Sequence, residues 1–327
     1  PITGNQEYVV GSAKLYERIV NADGTTKRGA LTSVSVSYNS ATKTLSVGLP
    51  DDQKTYELYF ETSLDGQYIV EEYNNNATFK NDEYTYTAKA SVDPKNGGDL
   101  ATKTGKVDPN NSNYVLWEVT VNPSLSTVKD MIVVDKPSTN QSLDAQSVKV
   151  YKTGVAADGT ISKAADVLTE DEDYQLTVTT DNDTGQQEAT VKFLHEIDTA
   201  YIIVYRALVT SGKITDELTN AISVKGYNEE TITDETNSSV KVTTTNGTAE
   251  GSSASMTLVK TDETTGALLP GAKLEIWTMN SDGTKQQMIR SGVTDEKGEL
   301  RFGNLRAATN YLLIETEAPT GHTVSAE

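Results

Sequence analysis

Short bursts of two-residue alternation, cut by turn residues every few positions, constrain this chain more than any other feature. Ser33-Val-Ser-Val-Ser-Tyr38, Thr44-Leu-Ser-Val47, Tyr56-Glu-Leu-Tyr-Phe60 and Tyr84-Thr-Tyr-Thr87 each place apolar or aromatic residues at every second position. Turn signals such as Ala22-Asp-Gly-Thr25 and Leu64-Asp-Gly-Gln67 punctuate them. A period of two buries one face of a strand and wets the other, and turns at this spacing predict β-sandwiches. No segment sustains a helical period, so the expected fold is all-β.

An internal repeat sets the domain plan. Asn5-Gln6, Ser12, Lys14, Tyr16 and Ala22-Asp-Gly-Thr25 recur as Asn140-Gln141, Ser147, Lys149, Tyr151 and Ala157-Asp-Gly-Thr160. Asn75-Asn-Ala-Thr-Phe79 then matches Asn220-Ala-Ile-Ser-Val224. Two related sandwiches in tandem follow. The second has a front portion, roughly 100–136, with no counterpart before Pro1, so the first is expected to lack its opening strands. Polar residues 88–102, with Pro94, Gly97 and Gly98, read as a connection. Residues 227–255, rich in Thr, Ser, Asn and Glu, read as a second linker, within which 239–244 could form a short strand. A fresh set of strand signals begins at Met256-Thr-Leu-Val-Lys260, continues through Leu269–Trp277 and a hairpin over 293–302, and ends in Tyr311-Leu-Leu-Ile-Glu315. The expected domains are 1–92, 93–250 and 251–327, the last stopping before a final strand.

Composition narrows the functional classes. With 28 Lys+Arg against 47 Asp+Glu, the net charge of -19 argues against a phosphate-binding surface and hence against nucleic acid. No run is apolar and long enough to span a bilayer. Histidine occurs only at 195 and 322, which disfavours histidine metal sites and Ser-His-Asp catalysis. No cofactor, no metal and no turnover chemistry are expected. Cysteine is absent, so a stable extracellular protein of this kind needs a fastening other than disulfides.

The last stretch resembles the B-type, prealbumin-like repeats of the collagen-adhesin family on Gram-positive cell surfaces. The matching signatures are Leu-Val-Lys-Thr-Asp at 258–262, Leu-Pro-Gly-Ala at 269–272 and Tyr-Leu-Leu-Ile-Glu-Thr-Glu-Ala-Pro-Thr-Gly at 311–321. Residues 101–226 resemble the A-type, immunoglobulin-like domain of the same adhesins. That likeness rests on Lys103-Thr-Gly105, Trp117-Glu-Val-Thr-Val-Asn122, the Val133-Val-Asp135 strand and Thr219-Asn-Ala-Ile-Ser-Val-Lys-Gly226. Residues 1–92 resemble the back part of a sister domain.

The resemblance implies an isopeptide bond that the domain makes itself. Lys103 would attack the side-chain amide of Asn220, assisted by Asp135, and ammonia would leave. Burial favours the neutral amine and the protonated acid that such a step needs. A held contact then supplies a high effective concentration. In the last module the resemblance assigns the lysine role to Lys260 and the acid role to Glu315. Its acceptor amide belongs to a final strand beyond Glu327, because Asn304 and Asn310 precede the Glu315 strand. Asn75 occupies the acceptor position of the first domain. Taken singly, Lys103, Asp135 and Asn220 read as an edge lysine, a turn acid and a loop amide, and Trp117 reads as core packing.

The function implied is that of a bacterial surface adhesin. It would bind a host extracellular-matrix protein of collagen or fibrinogen type and be anchored covalently to the cell wall through a C-terminal region beyond Glu327. A strand within 227–245, around Val240-Lys-Val242, is the candidate latch that would add to a neighbouring sandwich. The alternative is a structural pilin or stalk subunit assembled by sortase, with Lys95 of Asp93-Pro-Lys-Asn96 as the acceptor. Asp181-Asn-Asp-Thr-Gly185 hints at a calcium loop, but its glycine falls one position too early, and a polar hairpin turn is the better reading.

Overall fold

The structure, a computed structural model, describes residues 1–210, 215–228, 230–243, 253–307 and 309–324. Residues 1–99 with 124–128 form one compact unit, and 100–123 with 129–327 form a second. Among the described residues there is no α-helix, only a three-residue 3-10 turn at Ala145–Ser147.

The first unit contains β1 (Glu7–Tyr8), β2 (Lys14–Val20), β3 (Thr26–Thr32), β4 (Val36–Asn39), β5 (Thr44–Val47), β6 (Thr55–Tyr59), β7 (Thr62–Ser63), β8 (Tyr73–Lys80) and β9 (Thr85–Val92). They pair as small sheets: β3-β2-β6, β4-β5, β8-β9 and β1-β7. Alternation explains the inward residues, Leu15 on β2 and Tyr73 on β8, and the Asp23-Gly24 turn joins β2 to β3, with Gly24 at φ 81°. Strand β9 occupies part of the segment read as a connection, paired along its length with β8 from Tyr73↔Val92 to Lys80↔Thr85. Lys95 is exposed on the turn that follows.

In the second unit the sandwich comprises β10 (Ala101–Val107), β11 (Tyr114–Val121), β12 (Lys129–Pro137), β13 (Gln141–Leu143), β14 (Lys149–Val155), β15 (Ile161–Val167), β16 (Tyr174–Thr180), β17 (Gln187–Phe193), β18 (Tyr201–Val209), β19 (Thr215–Asn228) and β20 (Glu230–Thr243). One sheet runs β10-β11-β18-β14-β15, with β13 also on β18; the other runs β16-β17-β12-β19-β20. Their facing residues form the core, including Trp117, Val119, Val133, Val191, Ile203 and Ile222, each at most 4% exposed. The repeat seen in the sequence reappears as pairing. Lys14 opposes Tyr59 in the first unit, and Lys149 opposes Val204 in the second. Ile2 bridges Asn75, and Pro137 stands opposite Asn220.

The segment read as a linker with a latch is a fourteen-residue strand, β20, paired along its length with β19 from Asn228↔Glu230 to Thr215↔Thr243. Its polar composition is that of an edge strand, one face wet, with Ile232 and Val240 turned inward at 8% exposure. The Asp234 carboxylate accepts the backbone N–H groups of Leu100 and Ala101, fixing this strand to the start of β10. One edge of the candidate latch is therefore already paired within its own sandwich. Residues 229, 244 and 245 of that candidate lie outside the described residues.

The last module has β21 (Ser253–Val259), β22 (Lys273–Met279), β23 (Lys285–Val293), β24 (Glu299–Arg306) and β25 (Tyr311–Glu317), in sheets β21-β24 and β23-β22-β25. Residues 293–302 are not a hairpin. Strand β23 pairs with β22 and β24 with β21, so the turn between them crosses from one sheet to the other. Thr294 holds that corner: its N–H donates to the Ala272 carbonyl and its hydroxyl to the Leu269 carbonyl. Leu274, Ile276, Ile289, Leu300, Phe302 and Leu305 form the core, with Leu208 of the sandwich packed against it.

The 181–186 turn of the sandwich docks on this module. Asp181 accepts the Asp183 and Thr184 N–H groups, so the segment is the hairpin turn expected. Asn182 donates to the Ser291 carbonyl at 3.0 Å, and Asp183 meets Arg301 at 2.6 Å. Gly185, at φ 77°, lies against the Arg290 guanidinium; a Cβ there would stand 2.3 Å from Nη2.

Candidate functional site: a buried lysine, acid, amide and phenol

Four polar side chains meet inside the sandwich, carried by strands from both sheets. Lys103 comes from β10, Tyr205 from β18, Asp135 from β12 and Asn220 from β19. Strand alternation aims each inward, alongside Val119, Ile203, Val133 and Ile222. Register brings them to one level. Trp117 stands opposite both Gly105 and Tyr205, which places Lys103 two positions from Gly105 on the same face. In the other sheet Asp135 opposes Ile222, so Asn220 is its diagonal neighbour.

Gly105 makes the site possible. A Cβ there would lie 2.4 Å from the Trp117 ring and 2.6 Å from a Val240 methyl. With no side chain at 105, the Trp117 ring packs against the β10 backbone and sits over the lysine. The Lys103 Nζ is 5.1 Å from the Trp117 ring centroid and 5.2 Å from that of Tyr205. The indole N–H donates to Gln141 Oε1 at 2.8 Å, and Gln141 in turn donates to the Thr219 carbonyl at 2.9 Å, which steadies the backbone next to Asn220.

The polar groups bond to one another. Lys103 Nζ donates to Asp135 Oδ2 at 2.5 Å and to the Tyr205 hydroxyl at 3.2 Å. The Tyr205 hydroxyl donates to Asp135 Oδ1 at 2.9 Å and accepts from Asn220 Nδ2. Asn220 Oδ1 has no hydrogen-bond partner. Val119, Val133, Val148, Ala189, Val191 and Ile203 wall the space beside Asp135 and Tyr205. Such apolar walls disfavour charge. Burial lowers the Lys103 pKa to about 8 against the opposing pull of Asp135. Burial raises that of Asp135, opposed first by Lys103. Tyr205 is held well above the ordinary phenol range, again mainly by burial. Both partners of the lysine–acid pair are thus pushed toward their neutral forms.

Tyr205 is the member that the sequence did not disclose. In Tyr201-Ile-Ile-Val-Tyr205 it reads as one more core aromatic. The only available signal was its inward phase, shared with Ile203 and Ala207.

The last module holds a smaller pair. Lys260 Nζ donates to Glu315 Oε2 at 2.9 Å, with the lysine side chain 25% exposed and the glutamate 6%. Asn304 is committed elsewhere, donating to the Thr139 carbonyl, and Asn310 is exposed in a loop. Asn75 sits on β8 with its backbone bridged to Ile2. Among the described residues no group of three or more His, Cys, Asp or Glu could hold a metal ion.

Residues 99–237 match the family model of the collagen binding domain, and residues 254–327 that of the prealbumin-like fold domain. By module content the chain is similar to a collagen binding domain followed by a prealbumin-like domain. Solved structures similar to this chain include the collagen binding subdomain of the Enterococcus faecalis surface protein ACE. That match has 18% identity, covers 44% of this chain and 97% of the other, and has a TM-score of 0.33. A collagen-binding domain from a Staphylococcus aureus adhesin matches at 17% identity, covering 42% and 96%, with a TM-score of 0.28. The major pilin subunit of Bacillus cereus matches at 14% identity, covering 96% and 84%, with a TM-score of 0.32. No curated protein sequence matches the chain.

Proposed function

We propose that this chain is part of a bacterial surface adhesin. It binds a host extracellular-matrix protein of collagen or fibrinogen type, and its sandwich is fastened by a Lys103–Asn220 isopeptide bond. The buried, mutually bonded Lys103, Asp135 and Asn220 carry the fastening, and the collagen binding domain match carries the ligand class. Lys103 passes a proton to Asp135, and the neutral amine attacks the Asn220 side-chain carbon. The C–N bond to Nδ2 breaks, and ammonia leaves with the proton that the lysine nitrogen gives up. The event occurs once per chain and is not turnover. Lys260 and Glu315 are the lysine and acid of a second such site, in the last module. The chain is displayed at the cell surface and held to the wall.

Intact mass under denaturing conditions, followed by peptide mapping, tests the fastening. The expected result is a chain lighter by one ammonia, with the 103 and 220 peptides joined, and the full mass in Asp135→Ala. A wild-type chain of full mass would remove the bond. Immobilised collagen and fibrinogen test the ligand class, and no saturable binding to either would remove it. A stalk or pilin subunit is the alternative, since Lys95 is exposed on its turn. It would appear as polymers on cells joined through Lys95.

A further inference from the structure

We propose that the Tyr205 hydroxyl is a catalytic group of bond formation, relaying a proton from Asp135 to the departing nitrogen of Asn220. This rests on the isopeptide reading above and adds to it a residue and a route. The reaction must move one proton from Lys103 Nζ to Asn220 Nδ2. Asp135 Oδ2 lies 2.5 Å from Nζ and takes it up readily. The hydroxyl joins the other carboxylate oxygen to Nδ2: it is 2.9 Å from Oδ1 and accepts from Nδ2.

In the relay, the protonated Asp135 carboxyl turns about its Cβ–Cγ bond to face its OH to Tyr205 Oη and gives up that proton, while the phenol turns its own hydrogen toward Nδ2 and passes it on. The bond from Nζ to Cγ has formed, the Cγ–Nδ2 bond breaks, and ammonia departs. Asp135 ends as a carboxylate and regains a proton from the new amide nitrogen, which sheds its surplus one. Tyr205 ends as it began. Tyr205 is 4% exposed and Trp117 stands opposite it on β11, which keeps the hydroxyl away from bulk solvent. The same hydroxyl accepts from Lys103 Nζ at 3.2 Å, which keeps nucleophile and leaving group on one oxygen before reaction.

Tyr205→Phe keeps the ring and removes the hydroxyl. The full chain made by cell-free translation, quenched at intervals and weighed intact, gives the rate of ammonia loss. Positioned proton transfer contributes about a hundredfold or more, so Tyr205→Phe is expected to slow closure by at least about that factor while the thermal transition of the fold persists. Closure at the wild-type rate would overturn the relay. Replacing Tyr205 with 3-fluorotyrosine tests it even where the phenylalanine variant misfolds. A more acidic phenol should shift the pH dependence of closure, whereas a residue that only fills space would leave that profile unmoved and so overturn the relay. A wild-type chain that never loses ammonia overturns the isopeptide reading itself, a result distinct from either outcome.

Discussion

Lys103 and Asp135 resist the charges they would carry in water, and this gives the unlinked sandwich an unusual dependence on pH. In Asn220→Ala the bond cannot close and the pair stays. The folded lysine releases its proton near pH 8, while the unfolded one keeps it to 10.5. Between those values the unfolded chain binds more protons, so stability rises with pH, at most about 1.4 kcal/mol per pH unit. The acid acts in the opposite sense. Its folded pKa lies above 3.8, so the folded chain binds more protons as pH rises from there and stability falls. Urea melts of Asn220→Ala across the pH range should therefore show a minimum between the two windows, and a flat profile would show that neither group is shifted. Lys103, Asp135 and Asn220 were legible in the sequence because each sits in an alternating strand within a longer motif. Tyr205 was not, because a tyrosine between isoleucines and alanine has the same pattern whether its hydroxyl acts or is only buried.

At the scale of elements, two contacts decide whether strands fit. Gly105→Ala would drive a methyl into the Trp117 indole and Val240, tying β10, β11 and β20 to one clash. Overpacking of this kind costs about 1–3 kcal/mol, to be read as a lower urea midpoint with unchanged slope. Arg290, on β23, is the opposite case. It is 1% exposed, its Nη1 donates to the Ile289 carbonyl, and its Nε and Nη2 have no hydrogen-bond partner. A buried charge without a counterion costs more than an apolar side chain of similar size. Arg290→Met is expected to leave thermal stability unchanged or raise it, and a large loss would show that the guanidinium bonds more than the geometry indicates. Individual strands of the sandwich could be anticipated from periodicity, but of β20 only the stretch from 239 was. The Thr, Ser and Asn residues before it carry too little apolar signal to mark a strand, and what orders them is a partner, β19, and the Asp234 cap on β10. The corner at Thr294 escaped for a related reason: Asp295 to Gly298 is a genuine tight turn, and nothing local says that its two strands enter different sheets.

Over the whole molecule, the proposed bond and the pairing of the strands would act together. Joining β10 to β19 closes a loop of more than a hundred residues in the unfolded chain. By the loop-entropy argument used for disulfides this is about 4–5 kcal/mol. Lys103→Ala should therefore lower the thermal transition of the sandwich markedly and leave that of the last module nearly in place; equal losses in both would mean they unfold as one. The all-β fold class was readable from patterning. The junction through Asn182, Asp183 and Arg301 was not, since turn residues show their own geometry in sequence but not the surface they will meet.

The placement of Lys103 and Asn220 on the first and next-to-last strands has one more consequence. With the bond closed, the covalent graph of the chain is a ring with two tails, and the sandwich strands β11 to β18 lie wholly on the ring. A single peptide cleavage between 104 and 219 then opens the ring without releasing a fragment. Only a cut in a tail could separate one end of the protein from the other, because a second peptide cut in the ring frees an internal fragment and leaves both ends joined through the Lys103–Asn220 bond.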